Sequence, residues 1–249
     1  MEKRCIKCGY QRKPGDATPE TECPHCGAIY AKVEAALRGE LSHSAPETEQ
    51  ADGFWQSLRK EIENWCRGRI WYGRALLLLW LAWIGIEHLR DPLYSSLFGG
   101  LNLGIHEAGH LLFAYFGFEF LMAAGGTLLQ LAAPVGVAVM FLRQPDYFAL
   151  SVCGAWLATN FYNVATYMAD ARAMELPLVS VGGGGGEVMH DWHYMLSTLH
   201  VLAWDIRFAA FTRLIAFLVM WGSVAFGAWM LWKMARSRKR DDGVTDDAI

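Results

Sequence analysis

Charged residues are scarce in the long middle of the chain. Only 16 of the 162 residues from 71 to 232 are Asp, Glu, Lys or Arg, and no lysine occurs between Lys60 and Lys233. About a quarter of the residues of a soluble domain are charged, so this scarcity excludes a single soluble globule. The flanks, by contrast, hold 31 charged residues in 87 positions. An apolar block with charged ends is typical of a polytopic membrane domain with water-facing tails.

Two further absences limit the partners and the route into the membrane. The first 20 residues contain no long apolar run, so no secretory signal peptide is predicted there and insertion is expected to rely on internal spans. No strong positive charge is present either, because the formal net charge is −3. This charge argues against a general nucleic-acid binder.

Five apolar stretches are long enough to cross a bilayer as helices, which takes about 20 residues. They cover approximately residues 71–89, 93–118, 121–142, 147–169 and 208–232. All eleven tryptophans lie beyond residue 54, which suits a membrane protein because indole favours the bilayer interface. The sequence therefore predicts an all-α polytopic membrane protein with about five to six transmembrane helices. Its membrane domain is expected at 70–232, followed by a charged tail at 233–249.

Basic residues flank this block on both sides and predict its orientation. They are Arg67, Arg69 and Arg74 before the first spans, and Lys233, Arg236, Arg238, Lys239 and Arg240 after the last. Because positive residues stay on the cytoplasmic side, we expect both termini in the cytoplasm and an even number of spans. We therefore expect residues 187–204 to cross as a sixth span. The alternative is that one of the five stretches does not cross.

Four cysteines near the amino terminus form two complete knuckles. The pattern C-x2-C, fourteen residues, C-x2-C is formed by Cys5, Cys8, Cys23 and Cys26. Four thiolates complete a tetrahedral zinc site, and Gly9 and Gly27 provide the positive φ that each turn needs. We predict a structural zinc ribbon at 1–32 rather than a pair of disulfides, with His25 as a spacer between two ligands.

The segments around the ribbon give weaker predictions. A structural or protein-docking role is expected for the ribbon, although its basic residues also fit nucleic acid. Thiolate ligands indicate a reducing compartment, which again places the amino terminus in the cytoplasm.

Residues 33–53 are polar and predict a linker. Residues 54–69 predict an amphipathic helix on the membrane surface, and a helix packed against the membrane domain fits the same pattern.

A metal-binding motif lies within the second apolar stretch. His106, Glu107 and His110 form H-E-x-x-H, and residues four apart in a helix lie about 40° from each other around its axis. Both imidazoles then face one side as two zinc ligands, and Glu107 can take a proton from metal-bound water. Since ionisable residues in a membrane span are costly and usually functional, we predict a catalytic zinc site. A buried His–Glu hydrogen-bond network is the structural alternative.

A third protein ligand is needed if the fourth position is kept for water. Asp191 and Asp170 are the candidates, and we favour Asp191. His190 and His193 flank Asp191 and would support it from outside the metal. Asp170 ends a polar stripe made by Asn160, Asn163 and Tyr167. Asn160, Asn163 and Gln130 are polar side chains within the apolar stretches and are further candidates for outer-sphere or substrate contacts.

The motif at 106–110 resembles that of the site-2 protease family of intramembrane zinc metalloproteases. Gly126-Thr-Leu-Leu-Gln130 is similar to the Gly-Pro-x-x-Asn segment of that family, while Asp170-Ala171 and His190-Asp191-Trp192 both resemble its late motif. The resemblance covers roughly residues 93–205. It implies an intramembrane endopeptidase with Glu107 as general base, one catalytic zinc and a membrane-spanning protein as substrate.

Two other functions fit the same residues. One is an inactive relative of the protease that acts as a membrane scaffold and docks partners through its ribbon. The other is a metal-handling membrane protein, although that function would favour more ligand clusters than those at 106–110 and 190–193. The five glycines at 182–186 predict a slack linker or, alternatively, a hinge.

Overall fold

The computed structural model describes residues 4–13, 15–16, 18–37, 53–177 and 189–246, and most of these are helical. The helices are α1 (Tyr30–Leu37), α2 (Phe54–Cys66), α3 (Tyr72–Arg90), α4 (Phe98–Ala114), α5 (Glu119–Arg143), α6 (Tyr147–Ala169), α7 (Asp191–Thr198) and α8 (Asp205–Asp246). The chain divides into two compact units, Met1–Arg59 and Lys60–Ile249. The glycine run and most of the predicted linker lie outside the described residues, and α1 takes up the first residues of that linker.

The first unit contains the same tight turn twice. In each turn the amide of the glycine that follows the second cysteine donates to the carbonyl of the first cysteine. The distance is 2.8 Å from Gly9 to Cys5 and 2.9 Å from Gly27 to Cys23. Both glycines have positive φ, 76° and 66°, a conformation that side chains with a Cβ rarely adopt. Arg12 donates to backbone carbonyls between the turns. The backbone thus has the two knuckles that the cysteine spacing predicts.

The second unit is a bundle around α6. Its largest core cluster joins α3, α6 and α8 through Leu81, Ile84, Ala155, Ala158, Tyr162, Ala216 and Met220. Small alanines let the helices approach closely, as is usual for helix pairs in membranes. The carboxyl end of α2 packs on this bundle, because Trp65 donates to the Pro145 carbonyl at 2.8 Å and Lys233 pairs with Glu63 at 2.9 Å. This end of α2 is therefore a packed helix, whereas Phe54 and Trp55 at its start are exposed.

The predicted stretch 93–118 is not one helix. α3 ends at Arg90, before Asp91-Pro92, and the chain returns along α3 without helical structure until Phe98. The Tyr94 ring lies 6.1 Å from that of Trp83, and the Phe98 ring lies 5.7 Å from that of Trp80. Proline disfavours helical geometry in the residue before it, which explains why α3 stops there. Only the later part of the apolar run becomes α4.

α4 runs parallel to α6 and antiparallel to α5. Phe98 packs on Trp156 near the middle of α6, and Asn102 bonds Asn163 one to two turns further along. On the other side, His106 contacts Gln130, whereas His110 contacts the earlier residue Met122. The amino end of α4 therefore lies at the level of the middle of α6.

One further expectation, the sixth span, needs correction. α7 has eight residues, and at a rise of 1.5 Å per residue it is about 12 Å long. It is too short to cross a hydrocarbon core of about 30 Å, so 187–204 does not provide the sixth span as a helix. α8 continues beyond the apolar stretch 208–232 and through much of the charged tail to Asp246.

Within the described part of the chain, two helical segments are long and apolar enough to cross a membrane, α5 and Leu202–Arg238. Only 28% and 22% of their most apolar windows are buried. Core helices of soluble proteins bury their apolar side chains, whereas these helices leave them exposed. The exposed residues include Leu128, Val135, Val139, Leu214, Phe217 and Leu218.

Candidate metal centre

Three ligand-type side chains meet where α4, α5 and α7 come together. The Asp191 Oδ2 atom lies 3.1 Å from His106 Nε2 and 3.2 Å from His110 Nε2. Ligand atoms about 2 Å from a tetrahedral zinc ion lie about 3.3 Å from one another. All three atoms lie within 4.8 Å of one another, so the group has the residue types and the spacing to hold one metal ion.

The hydrogen bonds of the two rings leave the Nε2 atoms free of hydrogen. His110 Nδ1 lies 2.8 Å from the Met122 carbonyl, which only accepts, so the ring hydrogen is on Nδ1. His106 Nδ1 lies 2.9 Å from Gln130 Oε1 in the same arrangement. In the neutral rings both Nε2 lone pairs then point at the carboxylate of Asp191. With both rings neutral, three acceptors converge with no hydrogen between them, an arrangement that suits a metal ion.

Glycines on α4 and α5 make room for this arrangement. A Cβ added at Gly126 would lie 2.6 Å from His106 Nε2 and 2.7 Å from His110 Nε2. A Cβ at Gly109 would lie 2.3 Å from the Gly125 carbonyl oxygen. Gly109, between the two histidines, therefore lets α4 approach α5, and Gly126 keeps the ligand atoms uncovered. The sequence contains both glycines, but their steric role becomes visible only in the packed pair of helices.

Glu107 lines a cavity of about 630 Å³ beside the three ligand atoms. Its carboxylate is half-buried and has no hydrogen-bond partner among the described residues. Other residues on the cavity wall are Leu103, Met122, Gln130, Asn163, Tyr167 and Pro177. A carboxylate that faces a cavity next to a metal ligand is in the position that a general base requires.

Asp170, the alternative third ligand, has a different environment. Its carboxylate accepts from the backbone amides of Glu175 at 2.9 Å and Leu176 at 3.1 Å. The Nε2 atom of His190 lies 3.4 Å from it. Among the described residues, Asp191 and not Asp170 joins the two histidines. Asp170 thus fixes the loop after α6.

The two histidines that flank Asp191 contact backbone rather than the ligand group. His190 caps α7 by accepting from the His193 amide at 3.2 Å. His193 Nδ1 lies 2.7 Å from the Ala171 carbonyl. Both rings thus anchor the start of α7, which carries Asp191.

A chain of hydrogen bonds fixes Asn163 at the cavity wall. The Trp156 indole can only donate, and it donates to Asn102 Oδ1 at 2.8 Å, so the Asn102 amide donates in turn to Asn163 Oδ1 at 2.8 Å. The NH2 group of Asn163 is left for another acceptor. Asn160 is fully buried, donates to the Trp156 carbonyl at 3.0 Å and does not line the cavity. The sequence prediction included Asn163 but missed Asn102 and Trp156.

The four amino-terminal cysteines form a second ligand group. Their sulfur atoms lie within 4.8 Å of one another, with Cys5 to Cys26 at 3.8 Å and Cys8 to Cys23 at 3.6 Å. Sulfur atoms bound to one tetrahedral zinc ion are separated by about 3.8 Å. All four cysteines are free of disulfides, as the sequence predicts.

The environment of Cys23 favours its thiolate. Burial acts to raise the pKa of this thiol, but hydrogen bonds from the backbone amides of Cys26 and His25, together with those from the thiols of Cys8 and Cys26, lower the pKa to about 6. His25 is not part of the ligand group and stacks on Tyr10 with 5.6 Å between ring centroids. The thiolate is the form that binds metal.

No family model matches this chain, and neither a curated protein nor a solved structure matches it. The resemblance to the site-2 proteases therefore stays a prediction. A function for this chain has to be inferred from the chemistry of its own residues.

Proposed function

We propose that the chain is a membrane-embedded zinc endopeptidase that hydrolyses peptide bonds of membrane-spanning proteins. The observation that carries this proposal is the convergence of His106, His110 and Asp191 beside Glu107 on the wall of one cavity. Two histidines and one carboxylate are a ligand set found in catalytic zinc sites, which keep a fourth position open. A second zinc ion is proposed for the four cysteines of the ribbon.

The residues around the site have separate tasks in this reaction. Zinc, when bound, lowers the pKa of a water molecule and polarises the scissile carbonyl. Glu107 accepts a proton from the attacking water and passes it to the leaving nitrogen. Gln130 and the Met122 carbonyl keep both histidines in the tautomer that binds metal. The intact carboxylate of Glu107 favours an enzyme over an inactive scaffold.

Asn163 is the proposed contact for the substrate backbone. Its NH2 group is directed by the bonds from Trp156 and Asn102 and lies on the cavity wall. A substrate helix has to unwind before it is cut, and its carbonyls then need donors inside the membrane. Gln130 also lines the cavity but is engaged by His106, and the burial of Asn160 speaks against a substrate contact there.

We propose four membrane crossings, by α3, α5, α6 and α8. Residues just before α3 contact those just after α5 and near the end of α8, through Trp65 with Pro145 and Glu63 with Lys233. These helix ends therefore share one side of the membrane. α4 begins at the level of the middle of α6 and would be a half-crossing helix. An even number of crossings agrees with basic residues at both ends of the membrane domain and with cytoplasmic termini.

The test compares the parent with Glu107→Gln and with Glu87→Gln. Glu87 is the matched control because it pairs with Arg90 on α3, away from the cavity. Each protein is reconstituted in vesicles with a pool of single-span membrane proteins, and new termini are identified by mass spectrometry. Glu107→Gln should keep both metals and lose cleavage by at least about 100-fold, while Glu87→Gln should cleave like the parent. Equal cleavage by Glu107→Gln and the parent would refute the proposal.

A further inference from the structure

Tyr167 holds the third ligand of the candidate metal centre at two points. Its hydroxyl accepts from the Asp191 backbone amide at 3.1 Å and donates to Asp191 Oδ2 at 3.3 Å. Oδ2 is also the atom that faces the Nε2 atoms of His106 and His110. One hydroxyl on α6 thus contacts both the backbone and the ligand atom of the first residue of α7.

The Tyr167 ring is itself fixed by two histidines. Its centroid lies 4.2 Å from that of His190 and 6.0 Å from that of His106, with interplanar angles of 34° and 72°. His190 is buried and caps α7, so the ring has little freedom to turn. A side chain held in this way can direct its hydroxyl with little loss of entropy on metal binding.

The position of Asp191 at the first residue of α7 explains why such a hold matters. α7 starts at Asp191 itself, so no earlier turn of helix orients this residue. Contacts made by neighbours of Asp191, such as those of His190 and His193, position α7 but not the Asp191 carboxylate. Among the described residues, Tyr167 is the one that bonds the Asp191 carboxylate apart from the two candidate ligands.

We propose that Tyr167 is the positioning residue for the metal ligand Asp191. This inference rests on the metal site of the proposed function but not on peptide hydrolysis. The amide of Asp191 occupies a lone pair of the Tyr167 oxygen, so the hydroxyl hydrogen is directed to Oδ2. That bond orients the carboxylate toward the histidines before metal arrives. Groups that orient a metal ligand typically change metal affinity by 10- to 100-fold when they are removed.

The test measures Co²⁺ binding to purified full-length Tyr167→Phe, which loses the hydroxyl but keeps the ring between the histidines. Tyr162→Phe is the matched control, because Tyr162 is a buried tyrosine on the same helix whose hydroxyl has no hydrogen-bond partner among the described residues. Thiolate-to-metal charge-transfer absorption reports Co²⁺ at the ribbon only. Co²⁺ at the site with two histidines and one aspartate gives d–d absorption that is not accompanied by a charge-transfer band. The ribbon signal also serves as an internal check that each variant is folded.

We expect Tyr167→Phe to bind Co²⁺ at the histidine site 10- to 100-fold more weakly than the parent, with a changed d–d spectrum. Tyr162→Phe should match the parent. Equal affinity and an unchanged spectrum in Tyr167→Phe would overturn the proposal. Uptake of metal by the ribbon alone in the parent would overturn it together with the proposed function. A parent that binds both metals but cleaves nothing would refute the protease alone. The role of Tyr167 would then be decided by the Co²⁺ affinities of Tyr167→Phe and the parent.

Discussion

At the scale of single residues, the side chains that carry chemistry were easier to predict than those that support them. The spacing of His106 and His110 places two rings on one helix face whatever surrounds them. The spacing of the four cysteines works in the same way for the ribbon. The tautomer of His110, however, is set by the backbone carbonyl of Met122, and every residue has such a carbonyl. No pattern of side chains in the sequence predicts this contact.

Asp191 and Asp170 show the same limit. Both lie beside a plausible motif, and the sequence favours Asp191 only slightly. The distinction comes from contacts across more than 80 residues of chain, because His106 and Asp191 are 85 positions apart. Asp170 accepts from two backbone amides. These contacts depend on the folded loop and could not be read from the sequence.

Gly126 gives a prediction at this scale. Gly126→Ala would place a methyl group 2.6–2.7 Å from both ligand nitrogens, so we expect it to lose the metal of the histidine site and keep that of the ribbon. Gly136→Ala is the control, because a Cβ there meets nothing within 4 Å on the same helix. The control should keep both metals and gain about 0.5–1 kcal/mol of stability. Metal analysis and thermal unfolding check both variants, and two metals in Gly126→Ala would contradict the steric argument.

At the scale of elements, three helices match the predicted stretches within about two residues. These are α3, α5 and α6, where apolar composition and helix length coincide. The prediction of one helix over 93–118 was wrong because apolar composition does not distinguish a continuous helix from a chain that turns back before its helix begins. Residues that interrupt helices were present in the sequence, namely Asp91-Pro92 and the two serines before Phe98. The direction of α4 follows from its contacts with α6 and was not available from composition.

The return of the chain before α4 has a testable consequence for topology. With four crossings, Arg67 and Gln144 lie on one side of the membrane and Tyr115 on the other. With five full crossings, Tyr115 would share the side of Arg67, and Gln144 would lie opposite. We therefore expect a membrane-impermeant maleimide on inside-out vesicles to label Arg67→Cys and Gln144→Cys but not Tyr115→Cys. Labelling of Tyr115→Cys together with Arg67→Cys would refute the half-crossing helix.

The native cysteines are suitable for that experiment. Cys66 and Cys153 are buried, and burial raises the pKa of the Cys66 thiol to about 11. Thiolate is the reactive form, so Cys66 should react slowly near neutral pH. Mass spectrometry then identifies the labelled position, which separates the introduced cysteines from those of the ribbon.

At the scale of the whole molecule, the two ligand groups belong to different compact units. Cys8→Ser should therefore lower the metal content of the purified protein by one ion and leave the histidine site loaded. Zinc ribbons depend on their metal for folding, so the first unit should also become sensitive to protease. Metal analysis with limited proteolysis checks this expectation. Loss of both metals would show that the units depend on each other.

The distance along the chain between His106 and Asp191 also sets the order in which the protein is assembled. Synthesis proceeds at about 5–20 residues per second, so the 85 positions between these residues take roughly 4–17 s. During that interval α4 has its two histidines and Glu107 but lacks the carboxylate that completes the group. During insertion the newborn chain would thus have only two of the three ligands of the proposed metal site. If the chain is the proposed protease, its activity would begin only after α7 has docked, and the insertion machinery would not be exposed to it before then.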